Sequence, residues 1–332
     1  MEKISQAKAE DYEEIQRLLE DAYGHTHNYF SAAYPAVWRK ETTDFQHTYL
    51  IREGDGIASL VRVFSLDLIL GKSRVKAGGI GGVATSPSIR GKGYMSQLMN
   101  HAIDQMKEEG FPVSILGGDR HRYRSFGYEN AGKTLRLTVT RRGLDKAGIK
   151  PIFPQRYFGE PDLLRQIIIA YQQHPYRRKR AEEEYRLIYR KSGLLLFCSG
   201  KDQDFGYLAL SGEGGREGVV EFGGNAGTIL GITRYVMERF GDTPLTFFFP
   251  ERSAVPEPIL KSASDWNVVS TWMLKIIDLE KTISVFLPQT GGSAKPDLAA
   301  LKFLPEPAQV EALFGTLSGS PFNFFLWPLD CI

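Results

Sequence analysis

The sequence predicts an α+β protein, a mixed α/β layer structure built around one sheet and then repeated. Three observations carry this expectation. Between residues 48 and 83, short apolar and β-branched runs follow one another with turn residues between them, the mark of antiparallel strands. Two stretches with apolar residues at helical spacing, opening at residues 12 and 94, flank that region and supply covering layers. Beyond residue 150 the same order of helix and strand candidates returns, without evident sequence similarity.

Asp11-Tyr12-Glu13-Glu14 opens the first helix with acidic residues in its first turn, and Ile15, Leu18, Leu19 and Ala22 then recur on one face. An aromatic and histidine-rich stretch follows from 23 to 38. Residues 48–52 and 57–64 read as strands joined by the hairpin signal Glu53-Gly54-Asp55-Gly56, and 66–70 and 73–83 as two more. Helix 94–109 carries Met95, Leu98, Met99, Ala102 and Met106 on one face, and 113–116 and 135–139 are further strands. The region 148–154 is the expected boundary. After it come helix 161–173, strands 193–198, 205–210, 218–223 and 245–249, and a helix near 227–240. The charged run from Arg177 to Glu184 leads into a helical stretch through Tyr189; its opposite charges three to four apart predict a solvated helix face. A third, small segment starts at Trp272 and ends in the apolar run 322–332. The expected organisation is therefore 1–148, 149–271 and 272–332.

Composition narrows the function. A net charge of +2 over 332 residues gives no charge-driven case for a nucleic-acid or membrane partner. The first residues lack the apolar core of a signal peptide, and the longest apolar runs, such as 193–198, are far too short to span a bilayer. The two cysteines, Cys198 and Cys331, form no CxxC pair, so no metal site is expected and a reducing cytoplasm is.

The chemistry concentrates at residues 83–99, which read as a strand, a glycine-punctuated basic turn and the start of a helix. Such a turn aims backbone N–H groups and the positive end of a helix at one point, where phosphate binds. It is not a Walker A loop, because Lys92 is followed by Gly93 and Ser86 stands where the first glycine belongs. Nor is it a Rossmann fingerprint, because Gly79-Ile80-Gly81-Gly82 lies inside a strand pattern that Val83-Ala84-Thr85 continues. What remains is Arg90-Gly91-Lys92-Gly93-Tyr94-Met95, with glycines that permit unusual backbone angles and cations for an anionic ligand. A tight turn with surface cations is the alternative.

This turn resembles that of the GNAT acyltransferases, whose [RQ]-x-x-G-x-[GA] segment holds the pyrophosphate of acetyl-CoA. Arg90 and Gly93 match, and Met95 replaces the usual small residue, a departure associated with the Eis-like branch. The resemblance implies acetyl-CoA as acyl donor, held by Val83, Ala84 and Thr85 of the strand and by Arg90, Gly91, Lys92, Gly93, Tyr94, Met95 and Ser96 of the turn. Tyr123-Arg124-Ser125-Phe126-Gly127-Tyr128 resembles the Y-x-x-F-G-Y segment of the same branch. It implies Tyr123 as the general acid that protonates the departing thiolate, with Phe126 and Tyr128 as packing. The second block resembles the branch's inserted, degenerate GNAT-like domain; its stretch 220–228 lacks an R-x-x-G turn, so one donor site is expected. The segment from Trp272 to Glu280 resembles the start of a sterol-carrier-like domain, here abbreviated. In the Eis-like branch the terminal carboxylate serves as base, which implies that role for Ile332; simple packing of the tail is the alternative.

GNAT proteins form their acceptor pocket after the first helix. Tyr23, Phe30, Tyr34 and Trp38, with Asp119 near the turn that holds Tyr123, are the substrate candidates, because aromatic walls suit a cationic amine. Core packing is the competing reading for Phe30 and Trp38, a solvated position that for Asp119, and a surface or hydrogen-bonding role that for His25 and His27. The expected activity is acetyl-CoA-dependent N-acetyl transfer to a primary amine of a small molecule (polyamine or aminoglycoside-like) or of a peptide. A non-catalytic acyl-CoA- or lipid-binding module is the competing class, and a homo-oligomer is compatible with either.

Overall fold

The computed structural model describes residues 4–212, 218–251, 254–291, 295–316 and 319–330. Seven strands precede residue 140: β1 (Ile4–Gln6), β2 (Thr48–Glu53), β3 (Gly56–Leu70), β4 (Ser73–Thr85), β5 (Val113–Leu116), β6 (Glu129–Ala131) and β7 (Thr134–Val139). There follow β8 (Gln155–Arg156), β9 (Tyr176–Arg178), β10 (Leu194–Ser199), β11 (Gly206–Ser211), β12 (Gly218–Gly224) and β13 (Leu245–Phe249). The last two are β14 (Ala263–Val269) and β15 (Trp272–Ile276).

Alternation of apolar and polar residues puts β2, β3 and β4 side by side, antiparallel, with Ile51 opposite Ser59 and Leu60 opposite Ala84. The stretches expected as separate strands at 57–64 and 66–70 are one continuous strand, since nothing between them breaks the alternation. The full sheet runs β1-β2-β3-β4-β5-β15-β6, with β9 added against the far end of β3. Helix Tyr94–Glu108 covers one face with Leu98, Met99, Ala102 and Met106, packed on Tyr49, Val61 and Ile80. Helix Tyr12–Tyr23 covers the other with Ile15, Leu18 and Leu19, in the cluster that holds Leu60 and Phe64.

The two halves exchange strands. Only two residues separate β7 from β6, yet β7 pairs with β13 and β14 in a three-stranded sheet of the second half. In return β15 enters the first sheet between β5 and β6, with Met273 opposite Leu116 and Asn130. Each exchange buries apolar rows: Leu135, Leu137 and Val139 meet Phe247 and Phe249, and every residue of β15 is buried. Sheet partners therefore cross both of the boundaries expected at 148 and 271. After β15 there is no further strand among the described residues, and helix Glu306–Phe314 lies on β6 and β15.

The acidic half of the charge run at 177–184 meets its expectation, with Glu182 and Glu183 exposed on helix Glu182–Ile188 and paired with Arg186, while the basic half differs from it. Residues 176–178 form β9, and the side chains of Arg178 and Arg180 are buried, not solvated. Arg180 donates through Nε to Asp330 at 2.7 Å and through Nη2 to Glu221 at 2.5 Å. Tyr189 and Tyr207 donate to the other Glu221 oxygen at 2.6 and 3.1 Å, and Tyr171 donates to Asp330 at 3.0 Å. The guanidinium is ion-paired, and the two carboxylates also accept from three phenols, which is what permits its burial. This network ties the C-terminal tail to the second half. The tail's Phe322, Phe324, Phe325, Leu326 and Trp327 are buried along the way.

Candidate active site

The site begins at an irregularity in β4. β4 and β5 pair only over Ala77–Gly79, and beyond that the two strands part. In the same place the register with β3 slips, from Arg62 opposite Gly81 to Leu60 opposite Ala84, so that β4 carries one extra residue. Gly82 adopts φ +60° in this bulge, and a Cβ on it would come within 2.7 Å of the Trp38 ring. A cleft of about 580 Å³ opens there, walled by Tyr23, Val83, Thr85, Arg90, Met95 and Arg122.

The basic turn forms one end of this cleft, where Gly91, Lys92, Gly93 and Tyr94 also line it. Gly93 stands at φ +78° directly before the 15-residue helix Tyr94–Glu108, and no side chain caps that helix. The counterpart in the second half, helix Ala226–Phe240, is capped by Asn225, whose Oδ1 accepts from the Thr228 N–H at 3.1 Å. Arg90 donates to the Ala22 carbonyl at 3.3 Å, tying the turn to the first helix. Lys92 is ion-paired with Glu53, which also accepts from the Tyr94 hydroxyl at 2.9 Å. These two donors, Lys92 first, hold the Glu53 carboxyl below its usual range. Ala84 turns into the core, and Ser96 lies exposed on the first turn of the helix.

The short helix Arg120–Tyr123 reaches the cleft through Arg122. Asp119 is exposed and caps it, accepting from the His121 N–H at 2.8 Å. Arg120 grips buried Glu129, with Nη2 at 2.6 Å, and so fixes the segment to β6. Tyr123 is 6% exposed and packs near Tyr128, ring centres 6.4 Å apart. Burial raises its phenol above the ordinary value; the Arg122 guanidinium pulls it back and Asp119 opposes that. Across the cleft, the Tyr23 hydroxyl donates to the Val83 carbonyl at 3.2 Å, on the bulge itself. Its phenol is pushed up to about 12, first by desolvation and then by Tyr123.

Tyr23, 48% exposed, is the substrate candidate that faces the cleft. Phe30 and Trp38 are buried, and Phe30 forms a hub with ring centres 5.5 Å from Tyr23, 6.3 Å from Tyr34 and 6.2 Å from Trp38. They shape the wall behind Tyr23. Tyr34 is half-buried beneath the Lys191 ammonium, 5.5 Å from its ring centre. Ile332 lies outside the described residues. Two residues before it, Asp330 is fixed on Arg180 and Tyr171.

Three residues that sequence reasoning did not single out shape the site. Arg122 lines the cleft beside Val83 and Thr85, and Glu53 holds the basic turn. Arg62 is buried between the rings of Trp38 and Phe64, its guanidinium carbon 4.8 and 4.4 Å from their centres, and it donates to the carbonyls of Val37 and Thr42. Desolvation lowers it to about 10. Its signal was available: Arg62 alternates with Leu60 and Phe64 on the inward face of an otherwise apolar strand. Among the described residues no group of three or more His, Cys, Asp or Glu side chains is placed to hold a metal ion. No helix among them is long and apolar enough to cross a membrane.

Residues 3–131 match the family model described as acetyltransferase (GNAT) domain. The chain is similar to a GCN5-related N-acetyltransferase from Kribbella flavida, at 16% identity and a TM-score of 0.62, covering 85% of this chain and 73% of that one. A GCN5-related N-acetyltransferase from Anabaena variabilis shares 17% identity at a TM-score of 0.59, over 86% of this chain and 75% of that one. An Eis protein from Mycobacterium abscessus shares 14% identity at 0.58, over 84% and 75%. These likenesses establish the fold. The comparison with curated proteins found no match. The family match supports an acyltransferase.

Proposed function

We propose that the protein transfers an acetyl group from acetyl-CoA to a primary amine, of a polyamine- or aminoglycoside-like small molecule or of a peptide, by direct attack. The observation that carries this reading is the juxtaposition in one cleft of an uncapped helix N-terminus, with Arg90 and Lys92 beside it, and of Arg122, whose neighbour in the chain is the buried Tyr123. An uncapped N-terminus with adjacent cations fits a pyrophosphate, and the parted edge of β4 fits the extended pantetheine arm, with Val83 and Thr85 as backbone partners. Acetyl-CoA supplies the activated thioester. Thr85 and its neighbours orient it, Arg90 and the turn hold the phosphates, and Tyr123 delivers a proton to the departing sulfur. The half-exposed Tyr23 ring supports an amine acceptor on the opposite wall.

Two further readings follow. Residues 149–271 act as a degenerate unit without a donor site of their own, supported by the self-capped helix at Asn225. The segment from Trp272 is a relative of a sterol-carrier-like domain, and its first residues lend a strand to the first sheet.

The test mixes the full chain with acetyl-CoA and a panel of polyamines, aminoglycosides and peptides, and follows free thiol. Thiol release with at least one amine is expected, with kcat reduced about 10²–10⁴-fold by Tyr123→Phe. Arg90→Ala is expected to raise KM for acetyl-CoA far more than KM for the amine. Acetyl-CoA binding without thiol release from any amine, together with no effect of Tyr123→Phe, sinks the enzyme reading in favour of a binding module.

A further inference from the structure

We propose that the second half of the chain carries a binding site of its own, for an organic carboxylate with an apolar body, in a cavity between helix Pro161–Gln172 and helix Glu182–Ile188. The cavity measures about 480 Å³, in the range of small-molecule sites, and shares no lining residue with the cleft described above. The site therefore stands apart from the acetyl-transfer reading. One wall is apolar. Leu164 and Ile168, one turn apart on the first of these helices, line it together with Ile169, which remains 59% exposed. That surface gains free energy when a ligand takes it out of water.

The other wall is cationic. Arg165, Arg186 and Arg190 line it against one carboxylate, Glu182. Two of the three arginines are engaged: Arg165 donates to Asp162 at 2.7 Å and Arg186 to Glu182 at 2.6 Å. Arg190 is different. Among the described residues its guanidinium has no ion-pair or hydrogen-bond partner. It packs on the backbone of Gly159, where a Cβ would overlap it. Two residues before Gly159 stands Tyr157, which is 5% exposed, lines the same cavity and packs its ring on Tyr189, centres 6.3 Å apart. The Tyr157 hydroxyl also has no hydrogen-bond partner among the described residues. A phenol buried in this way carries a cost that a bound oxyanion removes. Together these groups select the ligand. The guanidinium presents paired N–H donors that match the two oxygens of a carboxylate, and the phenol adds one O–H donor. The excess of arginines repels a cation, and the apolar wall offers a bare inorganic anion no hydrogen bonds.

Calorimetric titration of the full chain with octanoate tests this, with octanol and inorganic phosphate as probes that each lack one half of the ligand. Octanoate is expected to bind at one saturable site, at least about 10-fold tighter than either control. Arg190→Gln, at an exposed position, is expected to weaken octanoate by about 10-fold or more. Tyr157→Phe, which removes only the hydroxyl, is expected to weaken it about 3- to 10-fold. Melting curves check that both variants fold. Arg90→Ala, in the other cleft, is expected to leave octanoate affinity unchanged. Absence of saturable octanoate binding overturns the inference. So does octanol binding as tightly as octanoate, which makes the cavity a plain apolar pocket, or phosphate binding as tightly, which makes it a bare anion site. An octanoate affinity that both Arg190→Gln and Tyr157→Phe leave unchanged, or that Arg90→Ala lowers, places the binding elsewhere and overturns it as well. None of these outcomes bears on thiol release from acetyl-CoA, so the two readings fail separately.

Discussion

Replacing Arg180 by Met tests what anchors the tail of the chain. Its guanidinium is fully buried, 2.7 Å from Asp330 and 2.5 Å from Glu221, and lies 4.0 Å from the centre of the Tyr171 ring. Methionine approximates its stem but leaves two buried carboxylates without their cation. Removing one partner of a buried ion pair costs about 3–5 kcal/mol. A chain of this size unfolds with an entropy of about 0.7 kcal/mol/K, so Tm is expected to fall by about 4–7 °C. The loss also has a pH signature. Burial already holds the Glu221 carboxyl above its usual value, and Arg180 is what most opposes that. Without Arg180 the carboxyl rises further, and the folded variant retains a proton that the unfolded chain releases. Stability tied to that proton is present below the ordinary carboxylate range and is lost as pH rises through the raised value. The deficit against wild type is therefore expected to be larger at pH 8 than at pH 5. Calorimetric melting of both proteins at the two pH values measures it. A fall in Tm below 2 °C, or deficits of equal size at both pH values, would refute the argument that this network holds the tail to the second half.

Two other outcomes follow from the same geometry. Gly82→Ala forces an L residue to φ +60° and drives a methyl within 2.7 Å of the Trp38 ring, for a combined cost of about 2–4 kcal/mol; urea unfolding measures it, and a cost below 1 kcal/mol would mean the bulge relaxes freely. His174 donates through Nε2 to the Phe222 carbonyl at 2.7 Å, and desolvation lowers it to about 4. Its folded value lies below its unfolded one, so stability is expected to decline as pH falls from about 6.5 towards 4. His174→Gln, which keeps an amide donor, is expected to flatten that decline in urea midpoints taken across the range; an unchanged slope would remove His174 from the acid response.

Much of the local structure was legible in the chain. The strand, turn and helix at 83–99 follow from β-branched residues, two glycines and a 3.6-residue apolar period. All three are local signals, and Gly91 and Gly93 take the positive φ that their type permits. The first helix with its buried Ile15, Leu18 and Leu19 is of the same kind. The basic half of the charge run at 177–184 was not legible, because a solvated helix face and a buried ion network use the same residue types. What separates them is whether Glu221 and Asp330, 41 and 150 residues away from Arg180, arrive beside it.

The sequence by itself determined the elements, the positive-φ turn and the chemistry-bearing side chains on either side of it, because each depends on neighbours within a few residues. The tertiary structure alone decided the strand exchange. Nothing in Thr134–Val139 or Trp272–Ile276 says which sheet each will join, since both are apolar strands and the choice rests on which rows of Leu, Phe and Met they meet. It alone also brought Arg122, the chain neighbour of Tyr123, into one cleft with Tyr23. That proximity depends on β4 parting from β5 after Gly79 and on Arg120 holding its helix to Glu129, two long-range arrangements that no periodicity records.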